Sequence, residues 1–62
     1  MKSSELLRIL QTDGWIILRQ KGSHKILTHP SKEGFIVVPY HGAKEISKRI
    51  AADILKQAGL KK

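Results

Sequence analysis

The segment WIILRQKGSHKILTH, residues 15–29, predicts a β-hairpin, and the rest of the fold is built around it. Its first part, Trp15 to Gln20, is rich in the β-branched and aromatic residues that favour strands. Its last part, His24 to His29, is a second strand candidate, and Lys21-Gly22-Ser23 between them contains the glycine that tight turns favour. We therefore expect two antiparallel strands joined by a short turn.

A third strand is expected directly after the hairpin. The cluster from Pro30 to Gly34 is rich in turn-forming residues, and the largely β-branched run Phe35-Ile36-Val37-Val38 follows it. Pro39 ends this strand, because proline has no N–H group to donate to a sheet. Three strands that follow one another in sequence predict an antiparallel meander.

Helical patterns lie on both sides of the meander. Ser3 or Ser4 is the expected N-cap of a first helix, which ends at Gly14. A second helix is expected from about Ser47 to Ala58, because apolar residues recur there at helical spacing and the serine is a suitable N-cap. The predicted order of elements is therefore α-β-β-β-α.

The chain is expected to form a single α+β domain over residues 1–62. The economical arrangement packs both helices on one face of a three-stranded antiparallel sheet and leaves the other face to solvent or a partner. A chain this short buries only about 60% of the surface that it exposes when unfolded, so its core must be thin. Lys61 and Lys62 at the C-terminal end are expected to be frayed.

The composition of the chain points to a polyanionic partner. Twelve Lys and Arg residues stand against five Asp and Glu residues, which gives a formal net charge of +7. No cysteine is present, so neither a disulfide framework nor a zinc–thiolate site is available, and we expect a reducing, cytoplasmic setting. No apolar run approaches the ~20 residues that span a bilayer, and no signal peptide is expected.

The acidic residues do not form the cluster that a metal-dependent nuclease needs. They are spread along the chain without an Asp-x-Asp or Glu-x-x-His pair, at Glu5, Asp13, Glu33, Glu45 and Asp53. Two of the three histidines, His24 and His29, lie five positions apart on one predicted strand and therefore point to opposite faces. Metal-dependent cleavage and a zinc site are disfavoured, and we expect neither a metal nor another cofactor.

His24 is the residue best suited to cleave RNA without a metal. The 2′-hydroxyl of RNA is a built-in nucleophile, so cleavage needs a side chain that transfers protons near neutral pH and cations that stabilise the phosphorane. His24 follows the Gly22-Ser23 turn, where backbone N–H groups can face a phosphate, and Lys21 and Lys25 flank it. The alternative is a solvated turn histidine without a catalytic role.

The other two histidines are weaker candidates. His41 follows the third strand, whose end lies beside the start of the second strand in a meander, so His41 is a possible acid–base helper of His24. The alternative is that His41 merely ends a strand. His29, before Pro30, is interpreted as a turn residue. Trp15 is expected in the core rather than stacked on bases, because a thin core gains more from burying an indole.

A second group of cations lies at the start of the second helix. Lys44, Lys48 and Arg49 stand where the helix dipole makes positive charge unfavourable by up to ~1 kcal/mol each. A helix N-terminus with free N–H groups and flanking cations suits a phosphate, whose binding offsets this cost. The alternative is a solvated basic helix end that binds nothing.

Blocks of sequence along nearly the whole chain resemble a known family. The matching segments are Gly14-Trp15, Arg19-Gln20-Lys21-Gly22-Ser23-His24, Val38-Pro39-Tyr40-His41, Glu45-Ile46 and the closing run from Ile54 to Leu60. The order of elements resembles the double-stranded RNA-binding domain, and the blocks resemble the HicA family of toxin mRNA interferases. Members of that family usually have a Pro-Gly or Lys-Gly step before the final helix, where this chain has Ser47-Lys48-Arg49-Ile50.

The resemblance implies a function, a partner and a catalytic residue. It implies the toxin of a type II toxin–antitoxin pair, an endoribonuclease that cleaves mRNA and is neutralised by a HicB-type antitoxin. The histidine of the Gly-Ser-His segment, implicated in cleavage in that family, corresponds to His24, with Gly22 as its structural neighbour. We therefore expect a metal-independent endoribonuclease whose RNA-binding residues are Lys21, Gly22, Ser23, Lys25, Lys44, Lys48 and Arg49.

Two alternatives use the same basic surface without cleaving RNA. One is a non-catalytic RNA-binding module that recognises the shape of its target. The other is a DNA-binding protein, which is disfavoured because no helix-turn-helix with a basic recognition helix is visible in the sequence.

Overall fold

The structure, a computed structural model, describes residues 1–60 and has the predicted order of elements. The elements are α1 (Ser3–Thr12), β1 (Ile16–Lys21), β2 (His24–His29), β3 (Lys32–Pro39) and α2 (Lys48–Gln57). The strands form one antiparallel sheet in the order β1-β2-β3. The α+β prediction is confirmed, while the expectation for Lys61 and Lys62 lies outside the described residues.

Both helices pack on one face of the sheet and form a thin core with it. The sheet contributes Leu27, Ile36 and Val38, which the two-residue repeat of a strand places on the same face. The helices and loops contribute Leu6, Leu7, Leu10, Trp15, Ile46, Ala51, Ile54 and Ala58. Trp15 is only 3% exposed, so the prediction that it belongs to the core is confirmed.

Among residues 1–60, no helix covers the opposite face of the sheet, which exposes apolar side chains. Ile16 and Phe35 both pair with Thr28, and Val37 pairs with Ile26 in the next row. A bulge between Ile17 and Arg19 adds Leu18 to β1. Four large apolar side chains, Ile16, Leu18, Phe35 and Val37, are 42–65% exposed, and we call them the open-face patch.

The first helix begins one residue earlier than predicted. Its N-cap is Lys2 rather than Ser3 or Ser4, and the Glu5 carboxylate accepts a hydrogen bond from the Lys2 N–H over 3.0 Å. Ser3 instead points inward, because its hydroxyl donates to the Lys44 carbonyl over 3.3 Å. The Ser47 cap of α2 is as predicted, since its side chain accepts from the Ile50 N–H.

The third strand also begins earlier than the turn-forming residues predict. Its first residue is Lys32, which pairs with His29, whereas Phe35 pairs with Thr28. The two intervening residues therefore form an irregularity within the strand, and Gly34 allows it by adopting a φ of +80°. Only Pro30 and Ser31 remain as the turn.

A polar cluster joins the ends of the helices to the sheet, and His29 lies at its centre. The sequence predicts a turn residue here, but His29 ends β2 and its side chain is only 9% exposed. Its Nδ1 accepts from the Ser31 N–H, so Nε2 carries the proton and donates to the Asp13 carbonyl over 2.8 Å. Lys32 Nζ lies 2.7 Å from both Asp13 Oδ2 and the Ala58 carbonyl, which ties α1 to α2.

Neither helix of residues 1–60 could span a membrane, because α1 and α2 are too short and not apolar enough to cross a bilayer.

Candidate active site

His24 lies on the open face of the sheet, at the start of β2. It pairs with Lys21 of β1 and with Pro39 of β3, so the three residues form one row across the sheet. The two-residue turn before it has a φ of +58° at Gly22 and no positive φ at Ser23, as in a type II′ turn. The imidazole is exposed, and a cationic side chain stands directly beside it.

The turn presents N–H groups as well as a histidine. Among residues 1–60, neither the Gly22 N–H nor the Ser23 N–H donates a hydrogen bond. The Ser23 carbonyl, in contrast, accepts from the Tyr40 N–H over 2.7 Å. Two free donors next to an imidazole and an ammonium group suit the oxygens of a phosphate.

The three histidines do not converge. His29 is five residues from His24 on the same strand and packs on the helix-covered face, where its ring lies 5.2 Å from that of Trp15. The opposite orientation predicted for His24 and His29 is therefore confirmed. Within the described residues, no group of three or more His, Cys, Asp or Glu side chains is placed to hold a metal ion.

His41 lies at the same end of the sheet as His24. It is two residues beyond Pro39, the neighbour of His24, and the bond from Tyr40 to Ser23 fixes this end of β3 beside the turn. The His41 N–H donates to the Ser3 hydroxyl over 3.3 Å, while its side chain is exposed. The expected proximity of the two chain segments is confirmed, and a catalytic role for His41 stays a prediction.

Lys25 does not share the face of His24. Its position in β2 turns the side chain toward the helix-covered side, where Nζ donates to Gln20 Oε1 over 2.7 Å. The same ammonium group lies 4.6 Å from the centre of the Tyr40 ring, within cation–π distance. Its expected contact with RNA stays a prediction, and the structure gives it partners within the protein instead.

The cations at α2 are placed as the sequence predicts. Lys48 and Arg49 are the first two residues of the helix, both are exposed, and its first turn holds no acidic residue. Lys44 lies in the preceding loop, and its carbonyl accepts from the Ser3 N–H over 3.1 Å. This loop, residues 40–47, connects the end of β3 near the turn to the start of α2.

The N-terminal residue of the chain contacts the same loop and helps to hold it in place. The Met1 amino group lies 2.8 Å from Glu45 Oε2, and the Ile46 N–H donates to the Met1 carbonyl. Hydrogen bonding from the amino group, supported by its charge, lowers the pKa of the Glu45 carboxyl. The position of Lys44 therefore depends on contacts with the start of the chain.

Sequence reasoning missed two residues of this site. Gln20 and Ser3 carry no obvious chemistry, yet one contacts the turn before His24 and the other contacts the loop after His41. A polar residue directly before a tight turn is the only signal that singles out Gln20. For Ser3 no such signal exists, because its partners are 38 and 41 residues away in sequence.

Two comparisons with known proteins identify the family of the chain. A family model described as the HicA toxin of bacterial toxin–antitoxin systems matches residues 3–60. The chain is also 41% identical over 61 residues to a protein of Pseudomonas fluorescens named probable mRNA interferase HicA, with 98% of each chain covered. These matches confirm the resemblance that the sequence blocks carry. The chain therefore belongs to the HicA family of toxins of bacterial toxin–antitoxin systems.

Proposed function

We propose that the chain cleaves mRNA as a metal-independent endoribonuclease, with His24 as general base or acid. Membership of the HicA toxin family and the mRNA interferase name of the relative support ribonuclease activity. The observation that carries the assignment to His24 is its exposed position on the open face, in one row with Lys21. The setting we propose is the cytoplasm, where mRNA is found.

The proposed reaction uses the 2′-hydroxyl of the substrate as the nucleophile. The His24 imidazole takes the 2′-hydroxyl proton while the 2′-oxygen bonds to phosphorus, and the bond from phosphorus to the 5′-oxygen breaks. A proton passes to the leaving 5′-oxygen from His41 or from water. The products are a 2′,3′-cyclic phosphate and a free 5′-hydroxyl, and the Lys21 ammonium stabilises the charge of the phosphorane.

The N–H groups of the turn and the cations of α2 hold the RNA at two phosphates. The free N–H groups of Gly22 and Ser23 bind the oxygens of the reacting phosphate. Lys44, Lys48 and Arg49 bind another phosphate at the N-terminus of α2, where no protein carboxylate of the first turn competes for them. Binding an anion there offsets the cost of up to ~1 kcal/mol that each cation meets in the helix dipole.

Product analysis of an incubated RNA tests this proposal. The purified protein should convert a labelled RNA into fragments that end in a 2′,3′-cyclic phosphate, and the rate should be the same with and without EDTA. A gel shift without fragments would identify a non-catalytic RNA-binding module instead. Loss of cleavage in EDTA and its return with added divalent metal would contradict the metal-independent mechanism.

The partner that we propose for the open-face patch is a HicB-type antitoxin. The patch is mostly aliphatic, with Phe35 as its only aromatic residue, so it suits the packing of protein side chains better than the stacking of bases. The chain carries a formal charge of +7, so a second copy would meet a like charge, whereas an acidic antitoxin would meet an opposite one. Charge complementarity therefore favours an acidic protein over a homodimer.

The open-face patch lies next to His24 on the sheet, which explains how such a partner would inhibit cleavage. His24 and Ile26 are successive residues on the open face of β2, about 7 Å apart at the rise of a strand. Ile26 pairs with Val37 of the patch, so a protein that covers the patch also covers His24. Binding of the antitoxin to the patch would therefore itself inhibit cleavage.

A charge placed in the patch tests the docking surface. Burying a phenylalanine side chain contributes about 1.5–3 kcal/mol, so Phe35→Lys should weaken binding of the cognate antitoxin by at least about tenfold. Ile9→Lys, at an exposed apolar position of α1, is the matched control and should bind within about twofold of wild type. Unchanged binding of Phe35→Lys would contradict the proposal, and so would a wild-type homodimer that this substitution dissociates.

A further inference from the structure

The side chain of Gln20 spans the turn that precedes His24. Its Nε2 donates to the Gly22 carbonyl over 2.9 Å, and its Oε1 accepts from Lys25 Nζ over 2.7 Å. An amide side chain can donate and accept at the same time, and both functions are used here. Gln20 therefore links the last part of β1, the turn and the second residue of β2.

Two further contacts extend this link to the end of β3. The Lys25 ammonium, held by Gln20, also lies 4.6 Å from the centre of the Tyr40 ring. The Tyr40 N–H donates to the Ser23 carbonyl over 2.7 Å. The two carbonyls of the turn thus each have a partner, one from the Gln20 side chain and one from the backbone of Tyr40.

The turn depends on these hydrogen bonds and on the pairing of Lys21 with His24, because the space beside Gly22 is open. A Cβ placed on Gly22 would meet no heavy atom within 4 Å among the described residues. With the Gly22 carbonyl fixed, the plane of the peptide that joins Gly22 to Ser23 is fixed, and so is the direction of its N–H. Reacting groups must be held within a fraction of an ångström to be effective, so the orientation of this turn matters for His24.

We propose that Gln20 is a positioning residue that holds the Gly22-Ser23 turn in the shape that presents His24 and the turn N–H groups to the scissile phosphate. Lys25 acts through Gln20, by holding its amide in place, and does not bind RNA. This inference rests on the proposed function, because the reaction that it serves is the one assigned to His24. It gives a role to Gln20, whose chemistry alone suggests none, and to Lys25, whose chemistry alone suggests only a positive charge.

Substitutions at these two positions separate the donor of Gln20 from its acceptor. Gln20→Glu keeps the acceptor for Lys25 and loses the donor for the Gly22 carbonyl, whereas Gln20→Leu loses both. Lys25→Met keeps the donor and loses the contact that holds the amide. Gln11→Glu, at an exposed position of α1, is the matched control for the change from amide to carboxylate.

Steady-state cleavage of a defined RNA by the full chain is the first measurement. Gln20→Glu and Gln20→Leu should lower kcat by about tenfold and change KM by less than about twofold, because binding is kept and orientation is lost. Lys25→Met should lower kcat by about threefold, and Gln20→Leu with Lys25→Met should match Gln20→Leu alone. Gln11→Glu should equal wild type.

Amide NMR spectra of the same variants provide a readout that does not depend on activity. The Gly22, Ser23 and His24 signals should shift in Gln20→Glu and their order parameters should fall, while Tm stays within a few degrees of wild type, as expected for an exposed side chain. A merely structural role would lower Tm without separating kcat from KM.

The outcomes that overturn the inference differ from those that overturn the proposed function. Unmoved Gly22 and Ser23 signals, or an unchanged kcat, in Gln20→Glu would contradict the role of Gln20. A higher KM for Lys25→Met that adds to the effect of Gln20→Leu would show that Lys25 binds RNA directly. Full cleavage by His24→Ala would instead contradict the proposed function, and the NMR signals would still decide whether Gln20 holds the turn.

Discussion

Gly14 lies so close to the ring of His29 that a Cβ at position 14 would be 2.9 Å from Nε2 of the histidine. The φ of Gly14 is +108°, outside the region that other residues adopt even in left-handed turns. Gly14→Ala should therefore destabilise the fold by about 3 kcal/mol, since it adds backbone strain and a clash with a nearly buried ring. Urea unfolding followed by tryptophan fluorescence measures this loss.

Gly42→Ala is the control that measures the cost of backbone strain without a steric clash. The φ of Gly42 is +63°, and a Cβ there would meet nothing within 4 Å among the described residues. Gly42→Ala should cost about 1 kcal/mol, the usual penalty of a left-handed residue. Equal losses for the two variants would show that the contact between Gly14 and His29 does not restrict position 14.

The ion pair between Asp13 and Lys32 should make stability depend on pH. Hydrogen bonding from Lys32, followed by the charge of Lys32, lowers the pKa of the Asp13 carboxyl below its ordinary value of 3.8. A carboxyl group whose pKa is lower in the folded protein than in the unfolded chain stabilises the folded state at pH values above its unfolded-state pKa. This stabilisation is lost as the pH falls through the folded-state pKa. Asp13→Asn should thus lower Tm at pH 7, and the difference from wild type should shrink as the pH falls below the ordinary pKa of an aspartate.

Thermal unfolding at pH 7 and in acid measures the contribution of the Asp13 carboxylate to stability. Glu33→Gln, which removes an exposed carboxylate of β3, is the control and should change Tm little at either pH. A Tm difference for Asp13→Asn that is as large in acid as at neutral pH would contradict the electrostatic origin of the effect.

The cations at the start of α2 should make RNA binding steeply dependent on salt. Each phosphate contact contributes about 0.7 to the slope of log K against log salt for a single strand. Lys48→Ala and Arg49→Ala should each reduce the slope by about this amount. Lys56→Ala, in the last turn of the same helix, removes an equal charge far from the site and should leave the slope unchanged. Equal reductions for all three variants would indicate general attraction rather than a phosphate site.

Local signals made most of the fold predictable. The Gly22-Ser23 turn, the β-branched runs around it and the Ser47 cap each act within a few residues, and each is found within one residue of its predicted position. The alternation of a strand also correctly separated His24 from His29. These features need no knowledge of contacts that are distant in sequence.

Two of the differences from prediction arise from contacts between distant parts of the chain. Ser3 is not the N-cap because its hydroxyl is used by the loop at Lys44. His29 is a nearly buried contact to the end of α1 rather than a turn residue, because the carbonyl of Asp13, 16 residues earlier, accepts a hydrogen bond from its Nε2. Lys25 points away from His24 because strand alternation places neighbouring residues on opposite faces. That alternation could have been applied to Lys25 from the sequence, as it was to His29.

Cleavage of a defined RNA by the His24→Ala protein tests the central claim most directly. His24 is exposed, so the variant should fold with a Tm close to that of wild type. Its cleavage rate should fall by at least about 100-fold, since a general acid or base contributes about 10²–10⁴-fold, while RNA affinity should change little. A folded His24→Ala protein that cleaves RNA at the wild-type rate would contradict the assignment of the catalytic role to His24.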